Sequence, residues 1–171
     1  MSFEFSEFLR KLSSDEQLYN GNGNPINSSL KRRVLGDITE GRSPLRSERL
    51  GYLFSKKYSK LYVTYHKFDS SGKLIKVTER LDPDTLLTNK TLEISLDDWV
   101  NNPNPQGLPK SNVQNGILYF WKPVENKVAW FYADADGANL DCDWDPLFSD
   151  AFIGVRVAKI LEKALKDEPS Y

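Results

Sequence analysis

The 171-residue sequence has little sulfur and little histidine, with one cysteine, one methionine and one histidine. A single cysteine excludes an internal disulfide and a zinc site with several cysteine ligands, and it favours a reducing, cytoplasmic location. Long apolar runs are missing too: no run approaches the roughly 20 residues that are needed to cross a bilayer. Glu4 and Glu7 interrupt the apolar N-terminal residues, so we expect a soluble protein with neither a membrane span nor a signal peptide.

Charge of either sign is not in excess, since 23 Lys and Arg stand against 24 Asp and Glu. The net charge of −1 provides no general attraction to nucleic acid or anionic lipid. The two signs are nevertheless concentrated in different places. Residues 31–60 hold nine Lys and Arg against three acids, and residues 125–150 hold seven acids against one Lys.

The residues needed for nucleophilic catalysis are nearly absent. Cys142 is flanked by Asp141 and Asp143, whose charges disfavour the thiolate that a nucleophilic cysteine needs. His66 falls in the middle of a predicted strand. The sequence contains no Gly-x-Ser-x-Gly elbow and no phosphate-binding glycine loop. These observations favour a non-enzymatic protein.

Two hairpins are predicted from short runs of β-branched and aromatic residues. Residues 61–68 and 74–81 flank an Asp-Ser-Ser-Gly loop. Residues 117–122 and 127–133 are apolar on both faces, which is typical of strands in the middle of a covered sheet. A short strand at 91–94 is followed by a short helix at 95–100, which Ser95 would cap.

Four further helices are predicted from three- and four-residue apolar spacing. The first covers residues 3–12, the second runs from Ser28 or Ser29 to near Gly41, and the third opens at Ser43 and Pro44. The last runs from residue 147 to residue 165, with Asp145 as N-cap and Pro146 in its first turn.

This order of elements predicts an α+β fold. We expect an antiparallel sheet of about four strands, formed by the two hairpins and packed by N-terminal helices and the long C-terminal helix. A single globular domain over residues 1–171 would comprise a helical part (1–58), the sheet and C-terminal helix (59–166) and a short tail (167–171).

The acidic segment after the second hairpin is a candidate metal site. Hard cations such as Ca²⁺ or Mg²⁺ bind several oxygen ligands close together. Five aspartates fall within 12 residues of a predicted loop: Asp134, Asp136, Asp141, Asp143 and Asp145. The spacing departs from the calcium-loop template, because Tyr132 falls at its first position and the closing glutamate is missing. The alternative is a solvated acidic turn whose aspartates cap the following helix.

The basic segment is a candidate binding surface on the predicted helices 29–57. Its residues are Lys31, Arg32, Arg33, Arg42, Arg46 and Arg49. A helix-turn-helix could present Arg46 and Arg49 to a nucleic-acid groove. Alternatively, the basic face meets an acidic surface, either the aspartate segment of its own chain or that of a second copy.

The aromatic residues of the hairpins offer a stacking platform or, in the commoner arrangement, core packing. The function we predict from the sequence is a small interaction or regulatory protein whose partner is another protein or a second copy in a homodimer. The alternatives are an enzyme or sensor that depends on a divalent cation at residues 134–145, and a nucleic-acid-binding regulator that uses the basic helices.

Overall fold

The computed structural model describes residues 3–41, 47–88, 92–148 and 153–154. Three helices lie in these ranges: α1 (Phe3–Ser13), α2 (Ser28–Thr39) and α3 (Leu96–Asn101). The strands are β1 (Leu18–Tyr19), β2 (Pro25–Ile26), β3 (Ser47–Lys57), β4 (Lys60–Phe68), β5 (Leu74–Arg80), β6 (Leu92–Ile94), β7 (Leu118–Trp121), β8 (Val128–Asp134), β9 (Gly137–Trp144) and β10 (Ile153–Gly154). In the part of the chain that is described, no helix combines the length and apolarity needed to cross a membrane.

The main sheet is larger than the four antiparallel strands predicted, and it is mixed. Its strands lie in the order β5-β4-β3-β8-β9-β7-β6, and β10 pairs with the start of β3. The β7–β9 and β10–β3 pairs are parallel, whereas the others are antiparallel. β1 and β2 form a separate two-stranded sheet. The prediction of an α+β class is therefore correct. The predicted sheet is wrong, because it has too few strands and because all of its strand pairs were expected to be antiparallel.

The hairpin of β4 and β5 is confirmed. The two strands pair from Tyr62 opposite Arg80 to Phe68 opposite Leu74. In the loop, Asp69 accepts hydrogen bonds from the amides of Ser71 and Lys73, as expected of a turn that starts with aspartate. Local turn chemistry therefore set this register.

The second predicted hairpin is wrong, because β9 lies between β7 and β8. The central position of β8 is correct, but its hairpin partner is β9, which follows a tight turn ending at Gly137. Gly137 has a φ of +131°, a value that glycine adopts readily. Two residues (135–136) separate β8 from β9, whereas six residues (122–127) separate β7 from β8, so β8 forms its hairpin with the next strand along the chain.

One predicted helix is replaced by a strand, and a second is interrupted near its predicted start. Residues 47–57 form β3, in which Leu50, Tyr52 and Phe54 are buried at every second position, a period that fits a strand better than a helix. Residues 146–147 form a turn, and Ile153–Gly154 pair with β3, so the predicted long C-terminal helix cannot run unbroken from residue 147. Residues 149–152 and 155–165 of that prediction, and the predicted helix start at residues 43–44, lie outside the described residues.

The core lies between the three helices and one face of the sheet. Phe5 of α1 and Trp99 of α3 both pack on Phe131 of β8, with ring centroids 5.1 Å and 6.3 Å apart. Ile38 of α2 joins the same apolar cluster. The N-cap of α3 is confirmed, since Ser95 accepts a hydrogen bond from the Asp98 amide at 3.1 Å. We call the face of the sheet opposite to these helices the outer face.

Candidate binding surface on the outer face of the sheet

Every second residue of the central strands lies on the outer face. Because Phe131 points toward the helices, Trp130 and Tyr132 point the other way. The register places Trp130 opposite Asp141 and Tyr132 opposite Asn139 on the neighbouring strand β9. β9 therefore brings polar and acidic side chains next to the rings of β8.

Four aromatic rings pack together at the end of this region. Trp130 stacks on Trp144 with centroids 4.9 Å apart. Phe148 lies 5.9 Å from Trp130 and 5.4 Å from Trp144, and Tyr132 lies 5.7 Å from Trp144. Trp130 is only 2% exposed, and its Nε1 has no hydrogen-bond acceptor in the described part of the chain. These contacts tie the end of β9 and the turn after it to β8.

Asp141 is a buried carboxyl beside this cluster. It lies on β9 between Trp130 of β8 and Trp121 of β7. The amide of Asp143 donates a hydrogen bond to its Oδ1 at 3.0 Å. Burial, together with the neighbouring carboxyl of Asp143, raises the pKa of Asp141 to about 7. Asp141 therefore changes charge close to neutral pH.

Acidic neighbours surround Tyr119 on β7. Glu93 on the adjacent β6 raises the pKa of the Tyr119 hydroxyl most, followed by partial burial and by Asp136 and Asp134. Carboxylates raise the pKa of a phenol because they disfavour a second negative charge nearby. The electrostatic effect shows that carboxyls from β6, β8 and the turn before β9 act on one point of the outer face.

Tyr132 has a similar environment nearer to the aromatic cluster. Burial raises the pKa of its hydroxyl to about 12, with Asp141, Asp134 and Asp143 adding to the effect. Asp134 contributes to the raised pKa of both Tyr119 and Tyr132, so it lies close to both tyrosines.

These residues form one surface of uniform charge, which we call the acidic surface. It comprises Glu93, Tyr119, Trp121, Asp134, Asp136, Asp143 and Trp144. Trp121 is 39% exposed, which leaves a large ring open to solvent beside the carboxylates. No Lys or Arg occupies an outer-face position on β6, β7, β8 or β9 among the residues described.

The opposite half of the outer face carries only positive charge. We call it the basic surface, and it comprises Lys57, Lys60, Lys76 and Arg80. Lys57 lies opposite Lys60, and Lys76 lies opposite His66. All four cationic side chains are exposed, and no Asp or Glu occupies an outer-face position on β4, β5 or the second half of β3. The sequence alone does not reveal this surface, because its residues come from three strands.

The five aspartates of the predicted metal site do not form a loop. Asp134 ends β8, Asp136 lies in the turn, Asp141 and Asp143 belong to β9, and Asp145 follows it. Because these positions are spread over two strands, the turn between them and the residue after β9, the five carboxylates do not meet at one point. Within the described ranges, no group of three or more His, Cys, Asp or Glu is placed to hold a metal ion.

Lys31, which belongs to the basic segment described in the sequence, points inward. Its Nζ donates hydrogen bonds to the carbonyl oxygens of Ser14 and Glu16, the latter at 2.9 Å. The side chain is buried, so it ties α2 to the segment after α1. Lys31 therefore stabilises the fold and does not present its charge at the surface.

The other predicted basic residues are not brought together on a helix pair. Arg32 and Arg33 are exposed on α2, whereas Arg49 lies on β3 and donates a hydrogen bond to the Pro146 carbonyl at 3.1 Å. The predicted helix-turn-helix is therefore wrong, since its second helix is a strand. Arg42 and Arg46 lie outside the described residues.

Cys142 and His66 are not neighbours. Cys142 belongs to the buried core on the helix-facing side of β9, and His66 lies on the outer face of β4, with β3 and β8 between the two strands. Three strand spacings of about 4.8 Å separate them by roughly 14 Å within the sheet. Burial and the charges of Asp141 and Asp143 raise the pKa of the Cys142 thiol.

The acidic surface is not predicted from the sequence, because the sequence analysis predicts a loop at residues 134–145. A usable signal was present: Ala138, Leu140 and Cys142 alternate with Asn139 and Asp141, which is the two-residue period of a half-buried strand. No protein-family model, no curated protein and no solved structure matches the chain.

Proposed function

We propose that the protein is a non-enzymatic binding protein whose acidic surface binds a positively charged protein partner. One observation carries this proposal: carboxylates and exposed aromatic rings lie side by side on an outer-face region that has no base at its described strand positions. The separation of Cys142 from His66 also supports binding over nucleophilic catalysis.

The chemistry of the acidic surface suits the side chains of Lys and Arg. A guanidinium or ammonium group is attracted to the face of an aromatic ring and forms charge-assisted hydrogen bonds with carboxylates. Trp and Tyr are the residues that most often dominate the energy of a protein interface. Trp121, exposed beside Asp141 and Asp143 on the adjacent strand, combines both features.

The experiment is a calorimetric titration with a lysine- and arginine-rich peptide, with a glutamate-rich peptide of equal length as the comparison. We expect binding of the basic peptide alone, with an affinity that falls as salt rises, because salt screens exposed charges. Trp121→Ala should weaken binding about tenfold without changing the charge, since interface tryptophans commonly contribute more than 1 kcal/mol. Tyr19→Ala removes an exposed ring elsewhere and should have no effect.

A second matched pair tests whether the position of the charge matters. Asp143→Asn removes one charge from the acidic surface, and Asp15→Asn removes the same charge from an exposed site in the segment that follows α1. Only the first should weaken binding. Equal effects of the two variants would show a nonspecific attraction to net charge and would refute the proposal, as would the absence of any heat with the basic peptide.

A further inference from the structure

A row of rings follows β4 on the outer face of the sheet. Tyr62, His66 and Phe68 occupy outer-face positions, because the alternate residues Val63 and Tyr65 are buried toward the helices. The row extends over about 20 Å, since each residue of a strand adds about 3.4 Å. Phe68 is 40% exposed, so the row reaches solvent beside the basic surface.

Two rings of this row have a cation directly beside them on the edge strand β5. Arg80 lies opposite Tyr62, and Lys76 lies opposite His66. Both cations are exposed, and neither forms an ion pair with an acid in the part of the chain that the structure describes. Each ring and its cation together offer a stacking face and a positive charge, the two features with which proteins bind the nucleotides of a single strand.

A third ring and its cation lie at the turn between β3 and β4. Tyr58 and Ser59 form this turn with φ values of +50° and +59°, a region that few residues other than glycine adopt. Tyr58 is 84% exposed, and Nζ of Lys57 lies 5.3 Å from the centroid of its ring. Lys60 lies opposite Lys57 and adds a second charge there. Because the Tyr58 ring takes no part in the core, it is available to a ligand.

This combination of charges and rings favours a nucleic acid over an acidic protein. Lys and Arg neutralise the phosphates of a nucleic acid, and they would attract carboxylates as well. The rings distinguish the two ligands, because a base stacks on an aromatic ring, whereas the negative face of a ring repels a carboxylate. Unpaired bases are free to stack in this way, but the bases of a duplex already stack on one another.

We propose that β3, β4 and β5 bind single-stranded nucleic acid on their outer face. The rings stack on bases, and the cations of the basic surface contact phosphates. The carboxylates of the acidic surface repel phosphates, so they confine the bound strand to these three strands of the sheet. This inference does not rest on the proposed function, which concerns the other half of the outer face.

Fluorescence anisotropy with the full chain and a labelled oligothymidylate of about 12 nucleotides tests this inference. We expect the wild type to bind, with an affinity that falls as salt rises. Lys57→Gln/Arg80→Gln should weaken binding and reduce the slope of log affinity against log salt by about 1.4, because each phosphate contact with a single strand contributes about 0.7. Arg32→Gln/Arg33→Gln removes two exposed charges from α2 and should retain the wild-type slope.

A second pair of variants tests the stacking. Tyr58→Ala removes a ring without changing the charge, so it should weaken binding about fivefold to a hundredfold and leave the salt slope unchanged. Because Tyr58 is exposed, this variant should unfold in urea at the same concentration as the wild type. Tyr19→Ala removes a ring that is 60% exposed on β1 and should bind like the wild type.

Competition identifies the class of ligand. Unlabelled oligothymidylate should displace the labelled strand, whereas a duplex of the same length and a glutamate-rich peptide should displace it at least about tenfold less effectively. Displacement by the duplex or by the peptide as effective as by the single strand would overturn the inference. It would also be overturned by a wild type that does not bind at low salt, by equal losses in the Lys57/Arg80 and Arg32/Arg33 variants, or by wild-type affinity in Tyr58→Ala.

Discussion

The amide of Asp143 donates a hydrogen bond to Oδ1 of Asp141 at 3.0 Å, and the carboxyls of the two residues are also in hydrogen-bonding contact. Asp141 is buried between Trp130 and Trp121 of the neighbouring strands, whereas Asp143 is exposed. The folded protein therefore holds a proton on Asp141 up to about pH 7, whereas an aspartic acid in the unfolded chain loses its proton near pH 4.

The free energy of unfolding should fall as the pH rises from about 4 to about 7. In that window the folded state binds more protons than the unfolded state. The stabilisation that Asp141 provides is therefore complete only below the pKa of aspartic acid in the unfolded chain. We expect a loss on the order of 1 to 3 kcal/mol in urea unfolding measured at pH 5, 6, 7 and 8. Asp141→Asn should remove this loss, so the variant gains stability relative to the wild type with rising pH.

Asp143→Asn provides the matched comparison. It removes the neighbouring negative charge but leaves Asp141 buried, so the pH dependence should become weaker without disappearing, because burial is the larger cause of the raised pKa. If wild type and Asp141→Asn have parallel stability profiles from pH 5 to pH 8, Asp141 is ionised throughout and the prediction is wrong.

Gly41 lies against the backbone at the end of β8. A Cβ added at this position would stand 1.8 Å from the carbonyl oxygen of Asp134 and 2.4 Å from its carbonyl carbon. Because the obstacle is backbone, it cannot rotate away as a side chain would. Gly41→Ala should destabilise the protein by about 1 to 3 kcal/mol in thermal or urea unfolding.

Gly21→Ala is the control for this substitution, since a Cβ at Gly21 meets nothing within 4 Å. That variant should be neutral or slightly stabilising, because alanine reduces the conformational freedom of the unfolded chain. Equal stability of the two variants would show that the segment after α2 does not pack on Asp134 as closely as the structure indicates.

The accuracy of the sequence-based predictions depended on whether local chemistry decides the structure. The hairpin of β4 and β5, helix α1 and the Ser95 cap of α3 were predicted correctly, because turn residues, apolar spacing and a capping side chain act within a few positions. The neighbour of β7 was predicted incorrectly. Its pairing with β9 joins Tyr119 to Asn139, residues 20 apart, and no local pattern specifies a parallel pair.

Segments whose apolar spacing fits two periods were assigned wrongly. Leu50, Leu53 and Phe54 fit a helical stripe, but Leu50, Tyr52 and Phe54 fit a strand equally well, and tertiary contacts with β4 and β8 select the strand. The candidate site depends in the same way on whether residues 137–144 form a strand or a loop. Once β9 is a strand, its aspartates spread over the outer face, and the charged surface depends on the strand order of the whole sheet.

Glu79 joins the sheet to the loop after α3. Its Oε1 accepts hydrogen bonds from the Tyr65 hydroxyl and from Nε2 of Gln106, each at 2.9 Å. Tyr65 and Gln106 are both buried, so bulk water would not replace the hydrogen bonds that their side chains donate to Glu79. Glu79→Leu should cost about 1 to 3 kcal/mol in urea unfolding at pH 7.

Glu79→Gln distinguishes the hydrogen bonds from the shape of the side chain. Glutamine retains an oxygen that accepts from both donors, so its cost should be about 1 kcal/mol or less. Two variants that lose the same stability would show that the charge of Glu79, and not its role as a shared acceptor, is what matters at this position.

Cys142 should be protected from thiol reagents in the folded protein. Its side chain is fully buried in the core, and burial together with the charges of Asp141 and Asp143 raises the pKa of the thiol, so the reactive thiolate is both rare and inaccessible. With a disulfide reagent at pH 8, labelling should be at least roughly a thousandfold slower in the native protein than in urea, because it requires an opening of the central strands. Cys142→Ala, which has no thiol, gives the background rate. Labelling of the native protein at the rate found in urea would mean that β9 is not held in the core, and the surface built on its other face would lose its support.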